Sequence, residues 1–173
     1  ASDVYKRQSS NYGVDWSCNS SYSSDNFQYV SVSYDGSQIS AGSTSNMYKF
    51  TGGTSWSVMR SGGGYPIMMS SNGAVRASDC GGTLYISTDS GATWNNMNIG
   101  NLQPYEFGMS SDGSIMTVIK LISGSQLYVS TDTGLTWTAR GPSGTQWQKA
   151  VMTSDGTVQV AIDYGGKVYV STQ

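Results

Sequence analysis

The sequence predicts an all-β fold: about four sheets of four antiparallel strands, set around a common axis. Three observations predict it. A small-Asx-Gly turn recurs four times, as SYDG at 33–36, SSNG at 70–73, SSDG at 110–113 and TSDG at 153–156, at spacings of 37, 40 and 43 residues. Short apolar runs flank each turn, and a hydrophobic–Tyr pair follows at Met47-Tyr48, Leu84-Tyr85, Leu127-Tyr128 and Val168-Tyr169. A tryptophan comes further on, at Trp56, Trp94 and Trp137, and no stretch has helical period.

Each element of the repeat follows from its residues. Runs such as QYVSV, YPIMM, YEFGM and QKAVM alternate apolar and small or polar residues, the pattern of half-buried strands. The Asx-Gly pair then turns the chain, because both central positions of a tight hairpin tolerate positive φ. A second strand, such as TVQVAI at 157–162, leads through a Gly or Ser turn to the Tyr-bearing third strand, and a loop leads to the tryptophan strand. Four antiparallel strands in about 40 residues make one propeller blade. A blade cannot bury both of its faces alone, so blades stack.

The repeats run approximately over 28–64, 65–104, 105–146 and 147–173, the last completed by 9–27. Repeat 147–173 stops before its tryptophan strand, whereas residues 9–20 supply an orphan loop and tryptophan strand. The ends therefore complement one another, which removes an exposed sheet edge. Closure within one chain gives a four-bladed ring. Closure between chains gives a strand-exchanging homo-oligomer, either an eight-bladed ring or an open array. A piece of a larger propeller is the third arrangement.

The loop before the tryptophan carries a family resemblance. Residues 87–94 (STDSGATW) and 130–137 (STDTGLTW) both read S-x-D-x-G-x-T-W. The motif resembles the Asp-box, or BNR repeat, of sialidase-like β-propellers. In it, Ser87, Asp89, Gly91 and Trp94, and Ser130, Asp132, Gly134 and Trp137, are structural: the carboxylate closes an Asx-type turn, the Gly takes a backbone angle other residues resist, and the Trp fills space between sheets. The resemblance implies the same, with the boxes peripheral to the ligand site. Two copies are degenerate: 49–56 (KFTGGTSW) has Thr for Asp, and 9–16 (SSNYGVDW) has Asn. Residues 3–8 (DVYKRQ) resemble a translated sequencing-library adapter, as in metagenomic sequences, so 1–8 is expected to be a non-native tail ahead of a single propeller domain, 9–173.

Composition restricts the chemistry. Without histidine the chain has no Ser-His-Asp triad and no imidazole base. A net charge of −2 with nine scattered basic residues argues against a nucleic-acid partner, and no apolar run reaches the length of a membrane helix. Cys18 and Cys80 have no metal spacing and are read as structural thiols, and no cofactor or metal is expected. The sialidase-like resemblance would require three converging arginines and a Tyr–Glu pair. Arg60 and Arg140 lie near the rim, and no catalytic residue is assigned. Asp79 and Asp163, near the second hairpin turns, need not face one another. Aligning the turns places Tyr29, Pro66, Glu106 and Lys149 at equivalent inner positions, preceded by Gln28, Tyr65, Tyr105 and Gln148. Tyr29, Tyr65, Tyr105, Glu106 and Lys149 are thus the candidate binding residues at the channel mouth, with Glu106 and Lys149 placed to pair. Trp147 stands outside the pattern and is expected to be exposed. The resulting expectation is a non-catalytic interaction or structural module, outside the cell or at its surface, that binds a glycan or a protein. The alternatives are a truncated sialidase-like glycoside hydrolase and a subunit that assembles through its terminal strands.

Overall fold

The computed structural model describes residues 6–9, 13–15, 17–19, 25–52, 55–97, 104–120 and 125–172, with backbone alone at 6–8, 17–19 and 52. These residues form an all-β propeller. The first blade joins β3 (Phe27–Val32), β4 (Ile39–Ser43), β5 (Asn46–Gly52) and β6 (Ser55–Ser61) in sequence order. The second joins β7 (Ile67–Met69), β8 (Arg76–Cys80), β9 (Thr83–Ser87) and β10 (Asn95–Asn96). The third joins β11 (Pro104–Met109), β12 (Met116–Lys120), β13 (Gln126–Ser130) and β14 (Thr138–Arg140). The fourth holds three strands, β15 (Trp147–Met152), β16 (Val158–Asp163) and β17 (Val168–Thr172), while β1 (Lys6–Gln8) and β2 (Ser17–Asn19) pair as a separate hairpin. Among the described residues, the expected completion of the fourth blade by the N-terminal strand is thus not made. Pairing β2 with the nearby β1 closes a much shorter loop. Residues 6–8 take part in that hairpin although the sequence suggests they belong to a tail.

The Asx-Gly turns shape themselves and join the blades. At the third, Ser110 Oγ donates to Asp112 Oδ1 at 2.7 Å, Ser114 N donates to the same oxygen at 3.0 Å, and Ile115 N donates to Ser110 Oγ at 3.0 Å. The other three turns repeat the arrangement around Asp35, Asn72 and Asp155. Across blades, Tyr34 N donates to Ser71 O, Ser71 N to Ser111 O and Ser111 N to Ser154 O, each at 2.7 Å. The turn glycines make this approach possible. A Cβ on Gly73, Gly113 or Gly156 would fall within 2.7 Å of Gln38, Val75 or Ile115 of the preceding blade.

The core lies between blades. Ala77, Leu84 and Ile86 of the second blade meet Phe107, Met116 and Val118 of the third, and Ile119 and Leu127 of the third meet Trp147, Ala150 and Ala161 of the fourth. Of the recurrent tyrosines, Tyr48 is buried and Tyr85, Tyr128 and Tyr169 are half-buried, as are Trp56, Trp94 and Trp137. Trp147 is buried, not exposed. It begins its inner strand at the register position of Phe27 and Pro104, and its ring meets Tyr169 edge-on at 4.8 Å, as Phe27 meets Tyr48 at 5.2 Å. The principal contacts between blades join sequence neighbours, and the described residues of the first and last blades form no such joint. The described chain is an open arc.

Candidate functional site

Both intact S-x-D-x-G-x-T-W loops fold alike. Asp89 Oδ1 accepts from Ser87 Oγ and from Thr93 N, both at 2.8 Å, and Asp89 Oδ2 accepts from Thr93 Oγ1 at 2.6 Å. Gly91 N donates to Ser87 Oγ, and Trp94 Nε1 donates to Gly91 O. Ser130, Asp132, Gly134, Thr136 and Trp137 repeat every one of these bonds. The donors hold the Asp89 carboxyl down to about 2 and lower that of Asp132. Ser90 N donates to Ala74 O and Thr133 N to Ser114 O, which ties both loops to the Asx-Gly end of their blades. A Cβ on Gly91 would overlap Met59, and one on Gly134 would overlap Ile86, so each loop also packs against the preceding blade. In the degenerate copy at 49–56, which lacks the Asp, the described residues belong to β5 and β6, where Phe50 lies opposite Trp56. The copy at 9–16 lies largely outside the described residues.

The candidate binding residues lie at the opposite end of the blades, where the inner strands begin. A β-bulge interrupts β3 at Gln28, β11 at Tyr105 and β15 at Gln148, the same repeat position each time. A bulge turns side chains out of the regular alternation. In the second blade this place falls to Tyr65, ahead of a cis Tyr65–Pro66 bond, with Tyr65 N donating to Asp79 O. Two pairs result. Tyr29 and Tyr65 stack almost parallel, 8° apart with ring centroids at 6.2 Å, and both remain exposed. Lys149 Nζ lies 3.2 Å from Glu106 Oε1, the pairing the repeat alignment anticipates. Tyr105 is exposed beside Glu106.

The same end carries features the sequence does not reveal. An open groove of about 730 Å³ lies between residues 142–146 and the β16–β17 turn, lined by Gln146, Asp163, Tyr164, Lys167 and Tyr169. A second cleft of about 460 Å³ opens between the third and fourth blades beside Leu127, Arg140, Trp147 and Tyr169. Neither leaves a local signal, because each is lined by segments well separated in the sequence.

The remaining titratable groups do not converge. Asp79 is half-buried: Oδ2 accepts from Gly82 N at 3.3 Å, while Oδ1 is buried without a partner among the described residues. Burial pushes its carboxyl up to about 6. Asp163 is held in its own turn by Lys167 N and by the Tyr169 hydroxyl. Arg60 lies over the Tyr85 ring, 3.7 Å from its centroid, Arg140 is exposed at the end of β14, and Arg76 is buried. Cys80 is a free thiol, its pKa raised by burial, and the Cys18 side chain lies outside the described residues. Among the described residues, no helix is long and apolar enough to cross a membrane.

No family model and no curated protein matches the sequence. Solved structures match the fold, and β-propellers are among them. The structure of YCF48 bound to a D1 peptide superposes with a TM-score of 0.71 at 19% identity, covering 96% of this chain and 58% of that one. A putative TolB from Agrobacterium tumefaciens gives 0.66 at 19% identity, covering 84% and 57%. An ancestral GH74 enzyme gives 0.70 at 10% identity, covering 96% and 30%. The chain is therefore similar to β-propellers in fold, and it spans somewhat more than half the length of the first two.

Proposed function

We propose that this chain is a non-catalytic binding propeller that takes a polypeptide segment on the face where its inner strands begin. The observation that carries this reading is the exposed Tyr29–Tyr65 stack, continued by Tyr105 and the Glu106–Lys149 pair. Parallel rings offer a flat apolar shelf at small entropic cost, and the ion pair offers partners for backbone and side-chain polar groups. A fold neighbour, YCF48, carries a peptide in its solved structure, which supports the same class of ligand here. A glycan fits such a shelf as well, so peptide and glycan arrays probed in parallel separate the two. Tyr29→Ala and Tyr65→Ala are expected to weaken capture about tenfold each with the melting temperature little changed. Capture unaffected by either variant would exclude this face. The glycoside hydrolase reading calls for two carboxyl groups roughly 5–10 Å apart across a cleft. Glu106 is paired with Lys149, and Asp79 and Asp163 serve their own turns on separate blades, which favours binding over hydrolysis.

A further inference from the structure

Three of the four Asx-Gly turns carry aspartate, and the second carries asparagine. Asn72 is also the one asparagine in the sequence that a glycine follows. Glycine puts no side chain in the way of its own backbone nitrogen, so in such a pair that nitrogen can attack the asparagine amide carbon. The folded turn ties down each reacting group. Gly73 N donates to Ser70 O at 2.9 Å, and Asn72 Oδ1 accepts from Ser70 Oγ at 2.8 Å and from Ala74 N at 3.0 Å. Gly73 is buried beneath Gln38 of the preceding blade, while Asn72 is exposed to water. Gly73 O is moreover an acceptor for the fully buried Arg76, whose Nε donates to it at 3.0 Å. The same guanidinium reaches Ser40 Oγ and Gln38 Oε1 across the joint.

We propose that Asn72-Gly73 is a self-modification site, held inert by the joint between the first and second blades, and that its conversion to isoaspartate unlocks that joint. When the turn opens, Gly73 N bonds to Asn72 Cγ and gives up its proton, the Cγ–Nδ2 bond breaks, and ammonia leaves a five-membered imide. Water then opens the imide in one of two ways. Breaking the new N–Cγ bond gives aspartate. Breaking the bond from Gly73 N to the main-chain carbonyl carbon of residue 72 gives isoaspartate, whose main chain runs through Cβ and Cγ. The net change is one water taken up and one ammonia released. The two products differ in fit. Aspartate suits the turn, because Asp35, Asp112 and Asp155 accept the same pair of donors in the other three. Isoaspartate adds a carbon to the main chain inside a turn spanned by Ser70 N to Val75 O at 2.9 Å and Val75 N to Ser70 Oγ at 3.0 Å. It therefore draws Gly73 O away from Arg76 and leaves a buried cation short of an acceptor. Ser71, one residue earlier, links all three of its neighbouring turns through Tyr34 N and Ser111 O, so the disturbance falls on the joint itself.

Ageing the full 173-residue chain in mildly alkaline buffer, with and without guanidinium chloride, tests this. Trypsin releases residue 72 in the peptide 61–76, in which mass spectrometry separates asparagine, aspartate and isoaspartate. Conversion is expected to run about tenfold or more slower in buffer than in denaturant, because it waits for the turn to open. Gln38→Ala removes the side chain over Gly73 and one acceptor of Arg76. It is expected to speed conversion about tenfold in buffer and to leave the rate in denaturant unchanged. Gln38→Asn, which keeps the amide but shortens its reach, replaces it if Gln38→Ala melts far below the parent. Chain aged in denaturant and refolded is expected to melt below the parent. Asn72→Asp is expected to melt with the parent before and after the same ageing, because aspartate forms the imide far more slowly. Equal rates in buffer and denaturant, a rate in buffer indifferent to the Gln38 variant, or an isoaspartate form that melts with the parent would each overturn the proposal.

Discussion

Asp79 and Asp112 show how one residue type is set to opposite ends of its range. Asp112 accepts two hydroxyls and a backbone N–H in the open, which lowers its pKa, and Asp35 and Asp155 in matching turns are held at about 2. Asp79 is raised to about 6 by burial, against the opposing pull of the Gly82 and Cys80 amides. A carboxyl raised in the folded state favours the protonated form. Its stabilising contribution is fully present below pH 4 and is lost as the pH rises through about 6. Asp79→Asn is therefore expected to remove that loss and to melt higher than the parent above pH 6, with the difference vanishing toward pH 4. Melting curves taken across this window, parent against variant, give the answer. The turn carboxylates act in the other direction: their contribution is present above pH 4 and is lost as the pH falls, through about 2 for Asp35 and Asp155. The environment of Asp79 is not legible in the sequence, where SDC at 78–80 resembles any polar turn. Arg76 is hidden in the same way. It reads as a surface cation, yet its guanidinium is fully buried on Gly73 O, Ser40 Oγ and Gln38 Oε1, two of them from the preceding blade.

At the scale of the element, the Asx-Gly turn does two jobs with four residues. The Asx side chain fixes the turn, and the glycine lets the neighbouring blade approach. The two jobs can be separated because no described blade packs against the first turn. Gly36 and Gly113 both have positive φ, at 73° and 79°, but only Gly113 faces a neighbour, with Val75 Cβ 2.7 Å from where its own Cβ would be. In the single chain, Gly36→Ala is expected to cost about 1 kcal/mol, for backbone strain alone. Gly113→Ala is expected to cost about 3 kcal/mol, since overpacking adds to the strain. Urea unfolding of both variants at concentrations where the chain is monomeric measures the difference, and equal losses would count against a joint at Gly113. The strands, the turns and the pairing of Glu106 with Lys149 were legible because all three follow from the repeat register. Trp147 was not. Its repeat position holds Phe27 and Pro104 elsewhere, so no aromatic recurrence marks it as an inner-strand anchor.

Across the whole molecule, the sequence conveys the number of blades but not the radius on which they stand. Repeat counting leaves a closed ring of four and an arc of a larger ring equally open, because each blade joint looks the same in either. The curvature comes from the interlocking of Phe107 with Leu84 and Ile86 and of Trp147 with Leu127, contacts that no local pattern encodes. The bonds from Tyr34 to Ser71, Ser111 and Ser154 have a further consequence. They form a row of links in which each blade holds only its two neighbours, so loosening starts at the ends and travels inward like fraying rope. Deuterium exchange records this order amide by amide. Ser71 and Ser111 should exchange slowly, Tyr34 faster, and Ser154 fastest, because its N–H has no acceptor among the described residues.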